Sequence, residues 1–223
     1  MPRDEIWAQT VDDAGNPIPR SRRSTSLKEA RRYAERRRRE TEARFRKAPF
    51  PLYGLPTPWV GPRLLGGADT MSRGGGRART TALSLVHGTN AADGDPWLVV
   101  ESSPEPSVGG GWFQIVARMA WDGSIAHDAD AALTYLRETN DPILPEGAIP
   151  SIEHATWTFD VDGLATTFDA YRAGEEWSAR ARIGELWVTV DGWSFDTREV
   201  ALARILDLDP YIDGTRRRYA GTG

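Results

Sequence analysis

Residues 154–191 read HATWTFDVDGLATTFDAYRAGEEWSARARIGELWVTVD. Ala155, Trp157, Phe159 and Val161 alternate with polar residues. That period of two marks a strand with one buried face. Turn pairs follow at Asp162-Gly163, Ala173-Gly174, Ile183-Gly184 and Asp191-Gly192. Strands of about six to nine residues between such turns form an antiparallel meander.

Outward from this block the pattern weakens. Thr81 to His87 and Trp97 to Ser102 have strand character, with a Pro/Gly-rich loop from Pro104 to Gly111. Residues 112–121 fit two periods. Phe113, Ile115, Ala117, Met119 and Trp121 share one strand face, whereas Trp112, Ile115, Val116 and Met119 share one helix face. The Trp121-Asp122-Gly123-Ser124 turn favours the strand. Asp128 or Asp130 caps a helix running to about Glu138. Val200 to Leu208, followed by Asp209-Pro210-Tyr211, fits either a closing strand or a short helix.

The N-terminal end differs in kind. Residues 6–11 predict a strand, 13–17 a turn, and 18–25 a short basic edge strand containing Pro19. Ser26 and Glu29 have capping-box spacing. Good helix formers then run from Leu27 to Arg46, until Pro49 and Pro51. The apolar stripe of this helix (Leu27, Ala30, Tyr33, Ala34, Thr41, Phe45) is thin and is broken at Arg37 and Arg38. Prolines 49, 51, 56, 58 and 62 predict an extended connector over 48–66, and the glycines of 66–79 a loop.

The expected fold is therefore α+β: a mostly antiparallel β body with one or two helices, preceded by a basic ββα-like N-terminal arm. The expected parts are the arm (1–47), the proline-rich connector (48–66) and the β-rich globular domain (67–223).

Composition narrows the chemistry. With no cysteine among 223 residues, disulfides, thiolate nucleophiles and cysteine metal sites are excluded. That fits a reducing compartment. The opening residues lack a secretory apolar run, and no stretch reaches membrane-spanning length. The expectation is a cytoplasmic protein with no membrane partner. Arginine supplies 26 of the 28 basic residues, which points to a GC-rich bacterial genome.

Charge is unevenly distributed. Residues 1–50 carry a net +6 and residues 51–223 a net −10. Residues 20–47 alone carry 13 basic and 4 acidic groups. Arg31, Arg32, Arg36, Arg37, Arg38 and Arg39 are the candidate polyanion- or partner-binding residues. A basic helix neutralises backbone phosphates and releases counterions. The same helix also carries i,i+4 acid–base pairs at 31/35, 35/39, 36/40, 38/42, 40/44 and 42/46, which stabilise it with no ligand at all. No base-reading motif accompanies the run, so nucleic-acid binding would be nonspecific.

Other motifs carry less. Phe159-Asp160-Val161-Asp162-Gly163-Leu164 resembles the first motif of haloacid-dehalogenase-type phosphotransferases. The resemblance implies a nucleophilic Asp160, a general acid/base at Asp162 and magnesium between them. Leu164 stands directly after the glycine where threonine is expected, no lysine follows, and the remaining chain reads as hairpins. Asp-Gly is also a common hairpin turn. His127, Asp128 and Asp130 form an imidazole–carboxylate group that also fits a helix N-terminus. The glycine clusters at 66–67, 74–76 and 109–111 match no phosphate-loop spacing. Trp157, Trp177 and Trp187 offer a flat platform for a sugar or partner if exposed.

These observations favour a noncatalytic binding or accessory protein whose basic helix engages an acidic partner, either nucleic acid or a protein surface. No catalytic residue, metal or cofactor is assigned. The competing readings are a carboxylate-dependent hydrolase at Asp160/Asp162 or His127/Asp130, and a protein-interaction module such as an immunity or assembly factor.

Overall fold

A computed structural model describes residues 27–56, 61–71, 79–88, 96–106, 111–123, 125–139, 141, 143–145 and 149–220. The two strands expected within 6–25, the Ser26 cap and the glycines at 74–76 lie outside the described residues. The chain forms two compact units, Met1–Arg44 and Phe45–Gly223. Helix α1 spans Leu27–Arg46; its last residues, Phe45 and Arg46, belong to the second unit.

The second unit is built on nine strands: β1 (Tyr53–Gly54), β2 (Arg63–Met71), β3 (Arg79–Gly88), β4 (Trp97–Ser103), β5 (Ile152–Val161), β6 (Leu164–Ala173), β7 (Glu176–Ile183), β8 (Leu186–Trp193) and β9 (Ala201–Arg204). Helices α2 (Trp112–Asp122), α3 (Ala129–Glu138) and α4 (Asp209–Ala220) complete it. The strand order is β1-β9-β5-β6-β7-β8-β4-β3-β2. All pairings are antiparallel except β5 with β9. The fold is α+β with a mostly antiparallel β body.

The meander forms because its turns have the right residues. Asp162 and Gly163 both take positive φ, 52° and 82°, as a two-residue turn of primed type requires. Gly174 and Gly184 take φ near 60° at the next two hairpins. Tyr53 N–H donates to Ser102 Oγ on β4 at 3.1 Å, so the sheet curls until its β1 end meets β4. The inner face holds the main core, including Leu98, Val100, Phe159, Phe168, Trp177, Val188, Val190 and Leu202.

Helices α2 and α3 pack on the outer face through Phe113, Val116, Ala117, Ala132, Leu133 and Leu136, against Tyr171 and Ala173. A third cluster joins Phe45, Leu52, Leu65, Leu83, Leu85, Tyr211 and Ile212.

Four local expectations need correction. Residues 112–122 are helical, not a strand. Gly123 does not make a hairpin turn; it ends α2 in the left-handed region (φ 64°), its N–H bonded to Met119 O. Residues 63–71 form β2, not a connector and loop. Gly66 is bare because a Cβ there would lie 2.7 Å from Ser84 O on β3. Gly192 lies within β8, not in a turn, because a Cβ there would lie 2.3 Å from the Trp177 ring. The closing segment gives both a strand, β9, and a helix over 209–220 opened by Asp209-Pro210, so the body carries a third helix where one or two were expected.

Candidate functional site

Helix α1 carries all six arginines singled out by sequence. Arg32, Arg36 and Arg39 are exposed. Arg31 lies on the helix, its side chain outside the described set. Among the described residues, expected i,i+4 pairs join Arg39 to Glu35 at 2.5 Å, Arg38 to Glu42 at 3.5 Å and Arg36 to Glu40 at 3.9 Å. Arg37 also reaches Glu40, at 3.7 Å. Over Leu27–Arg46 the helix has nine basic and four acidic residues, a net +5.

The other candidates are drawn into local structure. Asp160 Oδ1 accepts from Gly163 N–H at 2.9 Å, closing its own turn. Asp162 Oδ1 accepts from Arg204 N–H at 2.9 Å, anchoring β9. Asp128 accepts from Ala131 N–H at 2.7 Å and caps α3, with Asp130 in the first turn. Trp157, Trp177 and Trp187 do not share a face. Trp177 is buried inside with its Nε1 donating to Phe195 O at 3.0 Å, and Trp157 packs edge-on against it at 5.4 Å. Trp187 is on the outer face.

His87 is buried on the inner face. Its Nε2 accepts from Leu55 N–H at 3.1 Å, and the Tyr211 hydroxyl lies 2.9 Å from the same nitrogen. A nitrogen that accepts from an amide carries no proton, so Tyr211 also donates to it. Burial, and secondarily the Arg63 guanidinium, pushes the His87 pKa down to about 3. Burial pushes Tyr211 up to about 12. This imidazole on β3 joins the segment just after β1 to α4 and is structural.

Sequence reasoning missed a polar layer beneath α2. Arg118 Nη2 lies 3.1 Å from Asp191 Oδ2, and Ser178 Oγ donates to Asp191 Oδ1 at 2.5 Å. Gln114, Glu101 and Thr189 are also buried. Residues 178, 189 and 191 alternate with core residues and so look like a solvent face. The available signal was Gln114 and Arg118, a polar i,i+4 pair on a helix whose other residues before Asp122 are apolar.

Beside this layer Arg180 stands between two indoles, 4.7 Å from the Trp121 ring and 4.4 Å from Trp187. Trp121 packs on Tyr171 at 5.7 Å, and His154 stacks on Tyr171 at 4.8 Å while bonding Asp169. Burial, then Asp169 and Asp128, raises the Tyr171 pKa. Burial, then Asp191, raises that of Glu176.

No family model, curated protein or solved structure matches this chain. Its chemistry is read from its own residues. Among the described residues no three His, Asp or Glu side chains gather as metal ligands would, and no helix is long and apolar enough to cross a membrane. Ser178 faces a carboxylate that Arg118 already engages.

Proposed function

We propose that this is a noncatalytic binding protein whose basic helix α1 engages a polyanionic partner, nucleic acid foremost. The observation that carries this reading is the charge surplus of α1: nine basic against four acidic residues over Leu27–Arg46, with Arg32, Arg36 and Arg39 exposed. Surface ion pairs each contribute only about 0–1 kcal/mol, so phosphates can displace them at little cost. Contacts of this kind go to the backbone and carry no sequence information. The lack of cysteine fits a reducing, cytoplasmic setting.

The test is fluorescence anisotropy of labelled duplex and single-stranded DNA with the full chain and with a variant in which Arg36, Arg37, Arg38 and Arg39 are all glutamine. The variant should bind at least about tenfold more weakly at low salt. Equal binding by both proteins, or none by either, would reject it.

A further inference from the structure

The outer face of the sheet has a second feature, independent of α1. Across three adjacent strands, Trp97 on β4 is directly opposite Trp193 on β8, which is directly opposite Glu176 on β7. Cross-strand neighbours have Cβ atoms about 4.5–5.5 Å apart, so the two indoles and the carboxylate form one lateral row. All three side chains are half-buried. Ser194, next in the chain after Trp193, takes φ 49° and donates its N–H to Glu175 O at 3.1 Å. A strained residue clamped at this point fixes the register of Trp193 beside Glu176.

The row is short of a cation. Asp191, one step along the same face of β8, already has Arg118 and Ser178. Glu176 has no hydrogen bond or salt bridge through its carboxylate among the described residues, and the neighbouring Asp191 charge adds to the negative potential there. Trp97 Nε1 is buried with no hydrogen-bond partner among them. A half-buried carboxylate is costly unless it is paired. Indole faces are the strongest side-chain acceptors of an organic cation. Residues 51–223, with a net charge of −10, favour a positive ligand.

We propose that Trp97, Trp193 and Glu176 form a binding site for an alkylammonium group, the indoles receiving its methyl or methylene surface and Glu176 its charge. The ligand class is a small quaternary or primary amine, free or at the end of a side chain.

The test uses the full ¹⁵N-labelled chain, following indole N–H signals by NMR. Trp97→Phe and Trp193→Phe assign the two signals of interest. Trp177, whose indole is bonded to Phe195 O, reports that the fold is intact. Choline chloride is titrated against its uncharged isostere 3,3-dimethyl-1-butanol, with sodium chloride as a control for ionic strength. The expected result is saturable movement of the Trp97 and Trp193 signals by choline. The alcohol, and choline acting on Glu176→Gln, should each bind about tenfold more weakly. Equal response to choline and the alcohol, movement matched by sodium chloride, or undiminished binding by Glu176→Gln with the Trp177 signal in place would overturn the site.

Discussion

His87 shows how much one side chain can hold. It accepts from Leu55 N–H and from Tyr211, so protonating Nε2 breaks the bond to the segment just after β1 and forces the Tyr211 hydroxyl of α4 to turn from donor to acceptor. Its folded pKa, about 3, lies below the ordinary histidine value of 6.5. Between those values the unfolded chain binds the proton and the folded chain does not. The stability contributed by neutral His87 is therefore complete above about pH 6.5 and is lost as pH falls toward 3. In a His127→Asn/His154→Asn background, urea unfolding should show about 2 kcal/mol less stability at pH 5 than at pH 7.5. A flat profile over that range would mean that His87 is not held neutral. Tyr211→Phe, which removes only the hydroxyl, should cost about 1–2 kcal/mol in the same measurement. Gly192→Ala acts by the opposite route. Its Cβ would meet the Trp177 ring at 2.3 Å, where both backbone and indole are fixed. A loss of about 2–3 kcal/mol is expected by urea unfolding, and a neutral substitution would show that the indole can move.

At the scale of elements, the polar layer under α2 ties helix to sheet. Asp191→Ala leaves Arg118 buried without the carboxylate it faces, and a cost of about 3–5 kcal/mol is expected by denaturant unfolding. A cost under about 1 kcal/mol would mean that Arg118 finds an equivalent partner. Local pattern carried the meander, because alternation and Asp-Gly or Gly turns act within one hairpin. It also carried helix α1 and the Asp128 cap. It failed where the reason for a residue lies on another strand. Gly66 is small because of Ser84, Gly192 because of Trp177, and Gly214 because a Cβ would fall 1.9 Å from Arg63 O. From the chain alone such glycines look like loops and turns. The row of Trp97, Trp193 and Glu176 was hidden for the same reason: the three residues are far apart in sequence and meet only through register. The arginine run, by contrast, was legible as a candidate because its charge is local.

For the whole molecule, the division of charge is the dominant fact. A basic segment of +6 precedes a body of −10, and the body has its own complete core, which starts at Phe45. On the proposed reading, the net −10 of residues 51–223 opposes a polyanion, so a contact of only a few phosphates is expected. The most direct test is the salt dependence of DNA binding by the full chain, measured by anisotropy from about 50 to 200 mM salt. With roughly three to five phosphates contacted and about 0.9 ion released per phosphate, log K against log salt should fall with a slope of about −3 to −5. Replacing Arg36, Arg37, Arg38 and Arg39 with glutamine should bring the slope close to zero. A slope unchanged by that replacement, or binding that does not respond to salt, would contradict the account.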